Sequence, residues 1–291
     1  MTRLRLASVS AVALVLAACG GDRVVEGKLT LRYHPPAGAA YRYVLEQRNT
    51  LTMEAGPLAG MGAQKIEMRM HFTQAVTGPV PGGVEVRVTF DSTYMEAPGM
   101  PVEMMAAELE RLRGLVSTVL LDERAHVLTS DFGTASAVSP ALAPHLAAGV
   151  KAMAFALPEQ PMGRGDSWAV ATELPLGQLP GATGAASART TLTVQEIRVA
   201  RGDTTVLLGV ETTFPSEPLR MTVGGRPATL RLSGALSGDQ LFSLTRGAVV
   251  RGTVKGKMRV NVTGGLFGRE GMVLSSDNET TMRLAGAPSS P

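Results

Sequence analysis

Much of the chain alternates apolar and polar residues, which is the pattern of half-buried β-strands. In the first part of the chain, four such runs are separated by turns rich in glycine and proline. These runs predict an antiparallel meander with one apolar face. They cover residues 29–33, 41–53, 66–72 and 84–90.

The period of the pattern changes between residues 101 and 157, where apolar residues recur three or four positions apart, as on one face of a helix. This spacing predicts two amphipathic helices with a short hairpin, residues 119–128, between them. Ser139 is the predicted N-cap of the second helix and Pro140 its first residue. The apolar stripes consist of Met105, Leu109, Leu112 and Val116 in the first helix, and of Leu142, Leu146, Val150, Met153 and Leu157 in the second.

After Trp168 the chain returns to strand patterns joined by turns that contain glycine. A break in the alternation at Gln195–Glu196 predicts a β-bulge. The predicted strands cover residues 192–197, 204–214, 228–232, 240–245, 248–262 and 272–284.

The order of strands, helices and strands contains no βαβα alternation of the kind that builds parallel sheets. The predicted fold class is therefore α+β, mostly antiparallel β: a curled antiparallel sheet, or half-barrel, packed on two amphipathic helices. Residues 29–285 form one domain with its helical middle at about 101–157, and residues 286–291 form a disordered tail. Two sheet lobes flanking the helices remain the alternative.

The N-terminus has the three parts of an export signal. Arg3 and Arg5 precede an apolar stretch, residues 7–16, and the small residues Ala17 and Ala18 follow it. Ten helical residues rise only about 15 Å, half of a bilayer core of roughly 30 Å. Residues 1–18 are therefore predicted to be a cleaved signal peptide and residues 19–28 a short tether.

The segment Leu16-Ala17-Ala18-Cys19 resembles the lipobox of bacterial lipoproteins. The resemblance implies cleavage between Ala18 and Cys19, a diacylglyceryl group on the Cys19 thiol, and hence a membrane as partner. In that family, Gly20 in place of aspartate favours the periplasmic face of the outer membrane where the cell has two membranes. Cys19 is the only cysteine in the chain. An ordinary signal peptide followed by a chance cysteine is the alternative.

A second motif consists of Leu157-Pro158-Glu159-Gln160-Pro161 followed by Gly165-Asp166-Ser167-Trp168. It resembles an LPxxP…GDSW motif of uncharacterised, strand-rich bacterial lipoproteins. Gly165 and Asp166 predict a turn that leads Trp168 into a strand as a core residue. The order of elements is also similar to the lipoprotein-carrier superfamily, which implies an apolar cavity between sheet and helices.

Charge and motifs argue against several functions. Without Arg3 and Arg5 the chain has 26 basic residues (28 − 2) and 25 acidic ones, with no basic run, so nucleic acid is not an expected partner. The four histidines are scattered, and neither a His-Glu-x-x-His nor a Gly-x-Ser-x-Gly motif occurs. We therefore expect no enzymatic activity, no metal and no cofactor.

Methionine is the unusual component, because eight of the fifteen lie between Met53 and Met105. Flexible thioethers suit a wall that contacts variable apolar ligands. The expected function is binding of a hydrophobic or lipid ligand; the alternatives are a module that binds an envelope protein, or a copper site at Met68, Met70 or Met104. The predicted lining residues are Met68, Met70, Phe72, Met105, Leu109, Leu146, Val150 and Met153.

Overall fold

The computed structural model describes residues 22–56, 59–60, 62–97, 109–131, 156–175, 185–215 and 217–285. These residues form thirteen strands of one antiparallel sheet and a short 3-10 helix, Gly265–Phe267. The strands are β1 (Arg23–Val24), β2 (Ala40–Ala55), β3 (Ala63–Val80), β4 (Gly83–Glu96), β5 (Val116–Leu121), β6 (Val127–Asp131), β7 (Ser167–Pro175), β8 (Ala185–Ala200), β9 (Asp203–Thr213), β10 (Leu219–Val223), β11 (Arg226–Ser243), β12 (Ala248–Gly264) and β13 (Met272–Leu284).

The strand order in the sheet is β1-β8-β9-β11-β12-β13-β2-β3-β4-β5-β6. Two further strands share a partner: β7 pairs with the first half of β8, and β10 pairs with the first residues of β11. Most neighbours in the sheet are hairpins. β13 and β2 do not form a hairpin, because they lie far apart in the chain. Their pairing, from Val273↔Ala55 to Leu284↔Tyr43, joins the two halves of the chain.

The sheet curls strongly, so that strands far apart in its order share one core. Eight steps separate β8 from β5, which in a flat sheet would be about 38 Å. Yet Val25 donates its backbone N–H to Ile197 of β8, and Tyr33 donates to Glu123 just after β5. The eight residue-to-residue steps from Val25 to Tyr33 reach at most about 27 Å. Side chains of β4, β5, β8 and β9 consequently form one apolar cluster, which includes Val86, Val119, Ile197 and Val206.

The two faces of the sheet differ as the alternation predicts. On the outer face, rows of opposite charge cross neighbouring strands: Glu279 lies 2.7 Å from Lys255 and 3.9 Å from Arg48, which lies 3.9 Å from Glu67. Such exposed pairs stabilise little individually, but they keep this face solvated. The apolar positions of the meander face inwards, as Phe90 with 2% exposure illustrates.

The predicted packing of the sheet on two amphipathic helices is wrong. Residues 98–108 and 132–155 lie outside the described residues, and of the described residues that border them only Leu109 and Glu110 are helical. Successive three-residue hydrogen bonds, such as Leu112 N–H to Leu109, form turns, and Val116, expected on a helix face, begins β5. Apolar residues spaced three apart can bury one side of a turn as well as one face of a helix. This spacing therefore does not distinguish turns from a helix. Within the described ranges, no helix is long and apolar enough to cross a bilayer.

The expected end of the second helix is also corrected. Leu157 is fully buried in an extended segment, and its N–H donates to the carbonyl of Arg124 at 2.7 Å. The apolar face therefore needs no helical cover at this point, because the curled sheet covers itself and extended segments cross its open side. The described part of the protein is accordingly all-β rather than α+β.

Several local predictions are confirmed. The hairpin between the predicted helices is β5–β6, and the bulge is a register shift between Val194 and Glu196 where β8 pairs with β9. One boundary is wrong: residues 228–232 and 240–243 belong to a single strand, β11, and Leu244 and Thr245 lie in the turn that follows it. The glycines between them do not end the strand.

Gly238 of β11 lies where the backbones of β11 and β12 approach too closely for a side chain. A Cβ at this position would lie 1.8 Å from the carbonyl oxygen of Thr253 on β12. Glycine in a strand commonly marks such a close approach. The contact thus explains why a residue that weakens strands stands in the middle of β11.

We predict that Gly238→Ala lowers the free energy of unfolding by about 3 kcal/mol, because the two strands must separate to admit the methyl group. Urea denaturation measures the effect. Ser237→Ala, the matched control on the exposed side of β11, should change stability by no more than about 0.5 kcal/mol. Equal stability of the two variants would contradict the steric explanation.

Candidate functional site

The inner face of the curled sheet lines a cavity of about 1030 Å³ that is open to solvent on one side. One cross-strand row runs through its wall, and each residue of the row pairs with the next in the register. The row consists of Trp168 on β7, Leu192 on β8, Val210 on β9, Gly238 on β11, Val254 on β12 and Thr280 on β13.

Short side chains explain why this part of the inner face leaves open space. Gly238 contributes no side chain between Val210 and Val254, and Gly252 is a further lining residue of β12. Thr190 and Thr212 add hydroxyl groups, which are hydrogen-bonded to each other at 2.9 Å. The wall of the cavity is therefore mainly apolar, with its polar groups largely satisfied.

Two extended segments cross the open side of the sheet, and we call them crossing segments: residues 25–33 and residues 156–166. They pair with each other through Leu29 and Met162. The second segment joins β8 through hydrogen bonds of Gly165 and Asp166 with Val194, and it joins the β5–β6 turn through Leu157. Because Pro158, Gln160 and Met162 line the cavity, the second segment forms part of its wall.

Arg124, in the β5–β6 turn, connects this turn to the second crossing segment. Its Nε donates to the carbonyl of Leu157 at 2.8 Å, and its Nη1 lies 2.6 Å from Oε1 of Glu159. Arg32 of the first segment also donates to the carbonyls of Pro158 and Glu159, at 3.1 and 3.3 Å. These charge-assisted bonds hold the two edges of the sheet together beside the cavity.

Asp122 shapes the turn that carries Arg124. Its Oδ1 accepts the N–H groups of Arg124 and His126, both at 2.8 Å, and its Oδ2 lies 3.0 Å from Nδ1 of His126. Burial alone would raise the pKa of the Asp122 carboxyl, but the hydrogen bonds from His126 and Arg124 leave it below its ordinary value. The carboxylate therefore stays ionised and fixes the orientation of the His126 ring, which lines the cavity.

A smaller pocket of about 70 Å³ borders the cavity and shares Ala125 and Met282 with it. Tyr33, Tyr43 and Phe72 line it, and the rings of Tyr43 and Phe72 stack with centroids 5.1 Å apart. Burial raises the pKa of both tyrosines, so their hydroxyls are neutral at physiological pH. The Tyr33 hydroxyl is buried and has no hydrogen-bond partner among the described residues.

The residues predicted to line a cavity have different places in the structure. Phe72 lines the small pocket, whereas Met68 and Met70 pack with the main core cluster, as does Leu109. Met105, Leu146, Val150 and Met153 lie outside the described residues, as do Ala18 and Cys19 of the lipobox and Met104 of the copper alternative. In the described ranges, no three His, Cys, Asp or Glu residues cluster as metal ligands would.

The residues of the GDSW motif lie together at the start of β7. Gly165 has a φ of +86°, which suits glycine, and Asp166 accepts the N–H of Gly163 at 3.0 Å. The ammonium of Lys28, 2.8 Å away in the first crossing segment, lowers the pKa of the Asp166 carboxyl together with that hydrogen bond. Trp168 is half-buried in the cavity wall, and its Nε1 donates to Ala156 at 2.7 Å.

Arg124, His126 and Glu159 are the chemically distinctive wall residues that the sequence pattern did not reveal. Arg124 and His126 lie in a predicted turn, and the role of Arg124 depends on a segment more than thirty positions further along the chain. Glu159 lies within the LPxxP motif, and this motif is the sequence feature that could have pointed to Glu159.

Comparison with known proteins gives little. No protein-family model matches the chain, and no curated protein matches it in sequence. Among solved structures the chain is similar to one titled "Lipid-protein interactions in lipovitellin", with 11% identity and a TM-score of 0.48. The match covers 89% of this chain but only 26% of that one, so the chain spans about a quarter of its length. The function must therefore be inferred from the geometry of the chain itself.

The lowered pKa of Asp122 predicts a specific pH dependence. A carboxyl whose folded-state pKa is depressed stabilises the fold above its unfolded-state pKa, and this stabilisation is lost as pH falls through the folded value. Asp122→Asn keeps an oxygen for the two N–H groups but loses the charge. It should be less stable than the wild type at pH 7, and the difference should shrink as pH falls below about 4.

Urea midpoints measured from pH 7 to pH 3 test this prediction. Glu270→Gln, which alters an exposed carboxylate in the turn before β13, is the matched control and should keep the wild-type profile. A stability difference between Asp122→Asn and wild type that does not vary with pH would rule out the ionised carboxylate as its cause.

Proposed function

We propose that this protein is a membrane-tethered lipoprotein that binds a hydrophobic ligand, a lipid, in the cavity on the inner face of its sheet, and that it is not an enzyme. The cavity carries the proposal. Its volume of about 1030 Å³ is at the upper end of the roughly 300–1,000 Å³ typical of small-molecule sites. Leu45, Val170, Leu192, Val210 and Val254 give it the apolar lining that such sites share.

The lipobox supports the tether, and the position of β1 supports nearness to a membrane. Since β1 begins at Arg23, the four steps from Cys19 span at most about 14 Å. A diacylglyceryl group on Cys19 would therefore hold the sheet, and the cavity with it, close to a bilayer. A site for a lipid that enters from or leaves to that bilayer is the simplest use of this arrangement.

The polar groups of the cavity support binding rather than catalysis. Of the two carboxylate residues in the described wall, Glu159 is paired with Arg124, and Asp239 accepts a hydrogen bond from Gln195 at 3.0 Å. Both carboxylates are thus already paired with donors of the chain itself, which supports a wall that binds a ligand.

Trp168 provides a direct test, because it is the only tryptophan and lines the cavity. In full-length Cys19→Ser protein, a fatty acid brominated in mid-chain should quench tryptophan emission saturably. Bromine quenches only on close approach, so a ligand in the cavity is the expected cause. Unbrominated fatty acid of the same length should compete, and a linear, non-saturable response would contradict the proposal.

Filling part of the cavity should weaken binding. Val210→Phe with Val254→Phe places two rings on either side of Gly238 and should weaken uptake of a fluorescent fatty acid about tenfold, or about 1.4 kcal/mol. The matched control, Glu211→Phe with Lys255→Phe, adds the same rings at the exposed neighbouring positions. Equal uptake by the two double variants would place the ligand elsewhere.

A further inference from the structure

Arg124 distinguishes the cavity from a purely apolar one. Among the described residues that line the cavity, it is the only arginine or lysine. Its side chain is 24% exposed, so its charge lies at the cavity wall rather than in bulk water. A cation in this position favours a ligand that brings a negative charge to the same place.

The guanidinium of Arg124 is oriented but not saturated. Its Nε is bonded to the Leu157 carbonyl at 2.8 Å and its Nη1 to Glu159 at 2.6 Å. The backbone is held as well, because its N–H donates to Asp122 and its carbonyl accepts from Leu157. A guanidinium has five N–H donors, so further donors remain for an anion that approaches from the cavity.

Glu159 occupies one side of the Arg124 guanidinium, and an anionic ligand could take the place of its carboxylate. Its side chain is 74% exposed, and an exposed carboxylate held by one ion pair contributes little to stability. A lipid with a terminal carboxylate or phosphate would compete with Glu159 for Nη1 of Arg124. The lipid has the advantage, because burial of its apolar chain in the cavity adds to its binding free energy. Glu159 thus marks the position of an anionic group.

His126 adds a second polar contact at the same end of the cavity. Asp122 holds its Nδ1 at 3.0 Å, which leaves Nε2 as the ring atom available to a ligand. Both Arg124 and His126 belong to the short turn between β5 and β6, so the turn presents them together.

We propose that the cavity binds a lipid with an anionic head group, a carboxylate or a phosphate, whose charge is neutralised by Arg124 in place of Glu159. This inference rests on the proposed lipid binding and specifies its ligand class. The apolar chain lies along the row from Leu192 to Val254, and the head group lies at the β5–β6 turn.

The test compares three ligands with the same brominated chain: a fatty acid, a lysophosphatidate and a fatty alcohol. Quenching of Trp168 in the Cys19→Ser protein reports the binding of each. We expect the two anionic lipids to bind about tenfold more tightly than the alcohol, as a charge-assisted bidentate contact implies. The ratio between fatty acid and lysophosphatidate identifies whether carboxylate or phosphate is preferred.

Two variants separate recognition from structure. Arg124→Gln should weaken the two anionic lipids about tenfold more than it weakens the alcohol, so that the preference for anionic lipids is lost. Glu159→Gln should strengthen the anionic lipids about threefold relative to the alcohol, because the competing charge is gone. If Arg124 and Glu159 only held the crossing segment in place, both variants would instead weaken all three ligands alike, which would overturn the inference.

The failure of this inference is distinguishable from failure of the proposed function. Equal affinity of wild-type protein for alcohol and acid would overturn head-group recognition while lipid binding stands. Absence of quenching by all three ligands would overturn both.

Discussion

The fold depends on the closure of an open sheet across its two edges. Long strands with one apolar face cannot leave that face in water, and here the curled sheet buries it against itself. The curl brings β5 and β8 close enough for nine residues of chain to join them, from Val25 to Tyr33. A second crossing segment makes the same connection from Leu157 to Asp166 and pairs with the first. Backbone hydrogen bonds between segments far apart in sequence therefore replace the helices that the apolar spacing had suggested.

The same closure creates the candidate site. The crossing segments cannot fill the interior, because their backbones span it and only some of their side chains reach inwards. At the centre of the sheet, Gly252 contributes no side chain to the wall of the cavity, and Gly238 contributes none between Val210 and Val254. The result is a space of about 1030 Å³ walled by sheet, crossing segment and turn. The charged groups that fasten the turn to the segment, Arg124 and Glu159, are therefore also wall residues, which couples the closure of the fold to the chemistry of the cavity.

Local features were predictable where a local cause determines them. The alternation of Val84, Val86, Val88 and Phe90 places them on one buried face whatever the strand's neighbours are. The bulge after Val194 also follows from the pattern, since two polar residues in succession break the period of two. The helical spacing around Leu109 and Leu112 failed, because apolar residues three apart pack equally well from consecutive turns against a sheet. The alternation also predicts that Met68 and Met70 face inwards. Only the curl of the sheet decides that these inward-facing side chains pack in the core and do not line the cavity.

The amino-acid sequence by itself determined which residues face inwards along the strands, and where the hairpin and the bulge occur. These properties arise from neighbours along the chain and from the two-residue period of an extended backbone. The tertiary structure alone decided that β13 lies beside β2, that Leu157 binds Arg124, and that Trp168, Val210 and Val254 share one row. Such contacts join residues separated by tens to hundreds of positions, and their geometry depends on the twist accumulated over the whole sheet, which no local pattern encodes.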